Sequence, residues 1–295
     1  MIECIPNISE GRNRCVLNAL VEAVSASGCN VLDLHLDSDH NRSVVTFVGE
    51  PNSVWHGALE VVRRAIADVD LRVQHGVHPR MGAVDVIPFV PLHGATMADC
   101  VKLARALGRA LAEQFSIPVF LYGAAASSET RRNLAAIRRG QFERLAEKLD
   151  RPEWAPDFGP QSPHPTAGAV AVGARGFLVA YNVVLDTGDP AVARQIASAI
   201  REANGGLQGV KALGLSLASR GLTQVSMNLT DIAATTVPQA YERVVREASD
   251  CGVDVVESEI VGLVPRAALE GATTETLRLD RELEEMVLEN CLGSP

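Results

Sequence analysis

An α/β (α+β) fold built from two similar halves is what this chain predicts, on three observations. A strand–helix–strand–strand–helix–strand order can be read in the first half and again from residue 177. Aliphatic residues dominate, with 47% of the 295 residues hydrophobic and only 4% aromatic, the usage of helices packed on buried aliphatic strands. The length also exceeds the roughly 100–200 residues of one ordinary domain. The repeated βαββαβ order is that of ferredoxin-like sheets. Two such subdomains with mixed or antiparallel sheets are therefore expected, at residues 1–172 and 173–295.

Residues 1–6 form the first strand, and Gly11-Arg12-Asn13 introduces a helix to about residue 25. Residues 29–36 and 43–49 are strands joined by the polar turn Asp37-Ser38-Asp39-His40-Asn41-Arg42, rich in side chains that bond their own backbone. Residues 51–67 are a helix, with apolar Val54, Trp55, Ala58, Val61, Val62 and Ala65 at helical spacing. A strand at 83–90, an amphipathic helix at 96–114 and a short buried strand at 117–121 follow. A charged helical stretch, 128–149, precedes 150–168, where Pro152, Pro156, Pro160, Pro163 and Pro165 exclude a regular element. Loops of this length in compact proteins are functional or act as linkers. The second half runs strand 177–185, helix 190–203, strands 210–217 and 222–229, helix 238–249 and strand 253–262. Residues 271–295 read as a partly helical acidic tail.

A net charge of −9 argues against a nucleic-acid binder that depends on a global basic field. A local basic pocket on such a surface would still concentrate an anionic substrate. No charged-then-apolar segment follows Met1 and no run of about 18 apolar residues occurs, so a soluble, cytoplasmic protein is expected. The cysteines at 4, 15, 29, 100, 251 and 291 show no CxxC spacing and are read as reduced, Cys4 as a small core residue.

The segment His75-Gly76-Val77-His78-Pro79-Arg80-Met81-Gly82-Ala83-Val84-Asp85 carries the densest chemistry. Pro79 disfavours helical geometry at His78, so this is a turn entering a strand, and its glycines let backbone approach a ligand closely. It presents a titratable ring and a cation to something small. All seven histidines fall before residue 165; His35 in a strand and His56 on a helix read as structural or solvated. His75 and His78 lack the partners of a metal set, and no metal is expected. Arg12, Arg42 and Arg80 sit in turns, and a planar guanidinium suits carboxylates, so Arg42 and Arg80 are candidates to bind a substrate's acid groups. Surface solvation is the alternative for each. Asp37, Asp39 and Asp85 are candidates to orient His78, and the sequence does not choose among them. The loop Gly159-Pro160-Gln161-Ser162-Pro163-His164-Pro165-Thr166-Ala167-Gly168 offers backbone donors and a hydroxyl and follows an aromatic, Phe158. It suits a flat polar heterocycle; an interdomain linker is the other reading.

Cys4-Ile5-Pro6-Asn7-Ile8-Ser9-Glu10-Gly11-Arg12-Asn13, Asn41-Arg42, the segment from His75 to Ala83, Pro118-Val119-Phe120-Leu121-Tyr122-Gly123 and Trp154-Ala155-Pro156-Asp157-Phe158-Gly159-Pro160 resemble the glutamate formimidoyltransferase family. That family also supplies the amino-terminal part of formimidoyltransferase-cyclodeaminase. Gly173-Ala174-Arg175, Gln224-Val225-Ser226-Met227-Asn228-Leu229 and Val261-Gly262-Leu263-Val264-Pro265 extend the resemblance over nearly the whole chain. It implies transfer of the formimidoyl group from N-formimidoyl-L-glutamate to tetrahydrofolate, a co-substrate, in histidine breakdown. It also implies a homodimer, folate between the two subdomains, His78 as the catalytic proton shuttle, and folate binding by Gly159 to Gly168. Val77 stands where mammalian members carry an acidic residue, and Gln161 to His164 depart from the mammalian loop. The chain carries no cyclodeaminase part, so later processing of the product is expected from another protein. Two alternatives stay open at this level: the formyl version of the same transfer, from N-formyl-L-glutamate, and a non-catalytic folate-binding module.

Overall fold

The computed structural model describes residues 1–292. Residues 293–295, the end of the expected tail and second subdomain, lie outside the described residues. The chain divides into two compact units, Met1–Gly176 and the part from Phe177 onward.

In the first unit the expected strand at 1–6 is instead two short ones, β1 (Ile2–Cys4) and β2 (Asn7–Ile8). Pro6 has no N–H to donate, so the ladder breaks between them. Helix α1 (Arg14–Ala26) starts where the Asn13 side chain accepts from the N–H groups of Cys15 and Val16, at 3.1 and 3.4 Å. Strands β3 (Asn30–Asp37) and β4 (Arg42–Gly49), helix α2 (Pro51–Asp68) and strand β5 (Val84–Pro91) follow. Both β1 and β2 lie between β4 and β5, giving the antiparallel order β3, β4, β1 with β2, β5. This is the ferredoxin-like arrangement the sequence predicts.

The sheet does not stop there. Helix α3 (Met97–Phe115) leads to β6 (Val119–Gly123), and β7 (Val170–Ala174) is inserted between β5 and β6, parallel to both. Sequence reasoning missed β7. Its residues are small and all buried, so the strand lacks both the polar alternation of a half-exposed strand and a strong β-propensity. One sheet face, with Cys4, Phe47, Ile87, Phe89 and Val172, packs into a core with residues of α1, α2 and α3. On the other, Phe120, Tyr122 and Ala171 cluster with Ile137, Leu145 and Leu149. Those three come from the charged stretch 128–149, which forms three short helices, α4 (Glu129–Arg132), α5 (Leu134–Arg138) and α6 (Leu145–Leu149).

The second unit contains β8 (Val179–Leu185), α7 (Pro190–Ile200), β9 (Val210–Leu217), β10 (Leu222–Leu229), α8 (Val237–Asp250) and β11 (Val255–Val261). Its antiparallel sheet runs β11, β8, β10, β9, the same arrangement again. The expected acidic tail is more ordered than a tail. Short helices α9 (Thr274–Leu277), α10 (Leu283–Met286) and α11 (Leu288–Cys291) order this stretch, and Leu277, Leu283, Met286 and the intervening Val287 are buried in that unit's core. Among the described residues no helix is long and apolar enough to cross a membrane.

What positions the site is the β3–β4 turn. Asn41 is buried and left-handed, with φ 48°, a conformation asparagine tolerates better than most residues. Its Oδ1 accepts from the Gly11 N–H and its Nδ2 donates to the His75 carbonyl, both at 3.0 Å. The Asn41 carbonyl accepts from Gln74 Nε2 at 2.9 Å. One side chain thus joins the approach to α1, the turn and the loop before β5. Two glycines allow the joint to close. A methyl on Gly11 would strike the Asp37 carbonyl and the Arg42 backbone, and one on Gly76 the His40 carbonyl. The close approach expected of Gly76 is therefore made to the protein's own backbone.

Asn41→Ala is expected to destabilise the protein by about 2–4 kcal/mol, because it strands two backbone partners. The loss should appear as a lower denaturant midpoint at unchanged slope; a midpoint equal to that of the parent would contradict this role.

Candidate active site

Arg42, His78, Arg80 and Asp85 line one small cavity together with His40 and Gln74. Its volume is about 10 Å³, room for about one water-sized group.

His78 is half-buried. Its Nδ1 lies 2.8 Å from the Pro79 carbonyl, which can only accept, so the ring proton is assigned to Nδ1 and the lone pair to Nε2. Arg42 Nη1 lies 2.5 Å from both ring nitrogens and donates to Nε2. Burial and then the guanidiniums of Arg42 and Arg138 hold His78 well below the usual imidazole range. The ring is neutral at pH 7 and has a lone pair to offer. The same crowding acts on Arg42, whose pKa falls to about 9 through burial first and Arg138 second.

Arg80 is buried, and its guanidinium is engaged by the protein. Nε donates to Gln74 Oε1 at 2.8 Å, Nη2 to the Gln74 carbonyl at 3.1 Å and Nη1 to Glu143 Oε1 at 2.8 Å. Asp85 is buried as well; its Oδ1 accepts from the Met81 N–H at 2.8 Å and its Oδ2 pairs with Arg138 Nη2 at 2.5 Å. Asp37 binds His40: Oδ1 accepts from the His40 backbone N–H at 2.8 Å, and Oδ2 meets ring Nδ1. Burial alone would raise the Asp37 pKa, but these His40 contacts outweigh it and hold the carboxyl below its usual range. Asp39 contributes its backbone carbonyl, which accepts from the Val77 N–H at 3.4 Å. Arg12 is exposed and its Nε donates to the Ser38 carbonyl at 2.9 Å.

The loop from Gly159 to Gly168 is not part of the cavity wall. Gly159, Gln161, Ser162 and Pro165 are exposed, Pro160, Pro163, His164 and Thr166 half-buried, Ala167 and Gly168 buried. Gln161 Nε2 donates to the Leu149 carbonyl at 2.8 Å. His164 Nδ1 accepts from the N–H groups of Thr166 and Ala167 at 3.4 and 3.1 Å, and burial lowers its pKa. The end of the loop is tied to the His78 segment through backbone, by a Gly82–Gly168 bridge and the Ala83 N–H donating to the Ala167 carbonyl at 3.0 Å.

Sequence reasoning singled out neither Arg138 nor His40. Arg138 is one of several cations in a charged stretch, and nothing local marks it. Lys148 fixes the end of its helix, donating to the carbonyls of Ala136 and Ile137 at 2.7 and 2.5 Å while its ammonium sits 3.8 Å from the centre of the Trp154 ring. His40 was visible only as a member of a polar turn. Its ring stands edge-to-face with that of His78, centroids 6.0 Å apart at 74°.

Arg138→Met should destabilise the protein by about 3–5 kcal/mol, since it leaves the Asp85 carboxylate buried and unpaired. Asp85→Asn added to it should recover part of the loss in a double-mutant cycle, and strict additivity would remove the coupling. His78 generates a pH effect of defined sign. Its folded pKa is depressed, so below the unfolded value of about 6.5 the unfolded chain binds the proton that the folded chain refuses. His78 therefore contributes a loss of stability as pH falls from 7 toward 5, which His78→Gln should reduce in denaturant titrations; identical pH slopes would refute it.

Comparison with known proteins places this geometry in a lineage. Residues 1–175 match the formiminotransferase domain, N-terminal subdomain, and residues 180–286 the formiminotransferase domain. A glutamate formimidoyltransferase of Streptococcus pyogenes serotype M1 is 42% identical over 294 residues, 99% of this chain and 98% of its own. One of Thermoplasma acidophilum is 45% identical over 98% of this chain and 96% of its own. The formimidoyltransferase-cyclodeaminase of Rattus norvegicus is 45% identical over 91% of this chain and 51% of its own length. Among solved structures, a putative glycine cleavage system transcriptional repressor covers 86% of this chain and 94% of its own at 9% identity and a TM-score of 0.24, too remote to bear on fold or function. On the family matches and the near-full-length identity, the chain belongs to the formiminotransferase family.

Proposed function

We propose that this protein transfers the formimidoyl group of N-formimidoyl-L-glutamate to tetrahydrofolate, yielding 5-formimidoyltetrahydrofolate and L-glutamate, with His78 moving the proton. The observation that carries the reading is the 42% identity to a glutamate formimidoyltransferase over 98% of that enzyme's length. A neutral imidazole held among cations supports the role given to His78.

The chemistry asks for little more than positioning and proton transfer. A folate nitrogen attacks the amidine carbon and must lose a proton, and the departing amino acid nitrogen must gain one. A ring held neutral at pH 7 serves as the base. The cations around it attract the glutamate carboxylates and steady the electron-rich intermediate. Arg42 is the candidate for a substrate carboxylate, because Arg80 is committed to Gln74 and Glu143. An arriving carboxylate would draw Arg42 toward itself and release the His78 lone pair that the guanidinium covers at rest. Donor binding would then expose the base. Arg80 serves the site by bracing the loop that carries His78. The loop from Gly159 to Gly168 is assigned to folate on the family resemblance, supported by its backbone tie to the His78 segment.

Incubation with tetrahydrofolate and either formimidoylglutamate or formylglutamate tests the reading. Product should form from the formimidoyl donor, and a preference for the formyl donor would overturn the assignment. His78→Ala should lower kcat by about 10²–10⁴-fold with folate affinity little changed. Near-normal kcat with a large loss of folate affinity would move His78 from proton transfer to binding.

A further inference from the structure

We infer that His40 is a second acid–base residue of this reaction, giving a proton to the departing glutamate nitrogen while His78 takes one from the folate nitrogen. The inference rests on the transfer proposed above.

Three observations about this ring point the same way. His40 is 6% exposed and forms part of the cavity wall with His78. Asp37 holds its Nδ1, whereas its Nε2 is buried and has no hydrogen-bond partner. A buried ring nitrogen without a partner calls for an explanation, and a catalytic role is one that fits a residue of the cavity wall. Both nitrogens of His78, by contrast, are engaged at rest, one by the Pro79 carbonyl and one by Arg42. A carboxylate on Nδ1 fixes which nitrogen faces the reaction and is the counter-ion that a protonated ring requires. Asp37 therefore equips His40 to donate from Nε2, and the cations around His78 equip it to accept. Two imidazoles in unlike surroundings divide the acid and base roles.

The step balances. The folate nitrogen bonds to the amidine carbon as the π pair of its carbon–nitrogen double bond moves onto the imino nitrogen, and the folate proton passes to His78 Nε2. The pair on the imino nitrogen then re-forms the double bond as the bond from that carbon to the glutamate nitrogen breaks; the leaving nitrogen keeps that bond's pair and takes the proton that His40 carries on Nε2. Folate has lost one proton and glutamate has gained one. Loss of the proton from His78 and gain of one by His40 restore both rings before the next turnover.

The test uses the full chain with formimidoylglutamate and tetrahydrofolate. A wild-type protein that does not turn over defeats the transfer proposal itself; with turnover established, the variants address His40 alone. His40→Ala should lower kcat by about 10²-fold and leave both KM values within about threefold of wild type. Added imidazole should restore at least about tenfold of the lost rate. Asp37→Asn, which keeps size but removes charge, should lower kcat by about tenfold without raising KM. If His40→Ala does not fold, as judged by circular dichroism, His40→Gln is read in its place, with the same loss of kcat expected. A folded variant with wild-type kcat overturns the inference, and so does a loss in His40→Ala that imidazole leaves untouched.

Discussion

Asn41 decides whether this site exists. Its left-handed backbone reverses the chain between His40 and Arg42, so the side chains on either side of it reach the same cavity. Its amide bonds Gly11 on one flank and His75 on the other, which fixes the loop bearing His78 against the turn. One bond is buried and the other partly so, and such amide bonds are expensive to leave unmade, so loss of Asn41 loosens all three segments at once. The site inherits its geometry from one polar side chain rather than from the apolar core beneath it.

Once the segments are locked, electrostatics shapes the chemistry. Two guanidiniums, Arg42 and Arg138, stand near one imidazole, and a low-dielectric wall magnifies their effect. The imidazole yields by staying neutral, and Arg42 yields by a pKa falling to about 9. Asp85 anchors Arg138 from below at 2.5 Å, so this cation cannot relax away from the cavity without stranding a buried carboxylate.

Much of the fold was legible because it is periodic. Strands β9 and β10 have the bounds that the sequence assigns, 210–217 and 222–229, and both sheets contain the order read from the chain, the first with β7 and β6 added beyond β5. The stretch 128–149 gave a correct type but the wrong continuity. Asn133 caps α5 from within it, and Gly140, at φ 95°, takes the chain out of helical geometry, each a local event inside a helical composition. The cavity was half legible. Arg42, His78, Arg80 and Asp85 stand in short motifs whose turn chemistry is visible, so their gathering could be anticipated. Arg138 and the pairing of Asp37 with His40 could not. The first depends on a helix packing against the far face of the sheet, and in the second a carboxylate has several basic groups to choose from. Neither choice leaves a mark on spacing.

The missed strand has the largest functional consequence. Strands β5 and β7 are parallel neighbours, with Val86 beside Ala171, so the segments that precede them must emerge at the same edge of the sheet. One of those segments carries His78, and the other is the loop from Gly159 to Gly168. Beyond the strands the pairing changes character: an antiparallel Gly82–Gly168 bridge and the bond between Ala83 and Ala167 join the two segments there. A ferredoxin-like unit of four strands would end at β5 and leave the loop with no reason to lie near His78. Inserting a short run of alanine, valine and glycine supplies that reason, and small side chains are what allow the strand to fit between β5 and β6. Gly173 rests against the Tyr122 ring, where a methyl would collide. The composition that hid the strand from sequence reasoning is therefore the property that lets it bring the end of the loop beside the segment that carries His78.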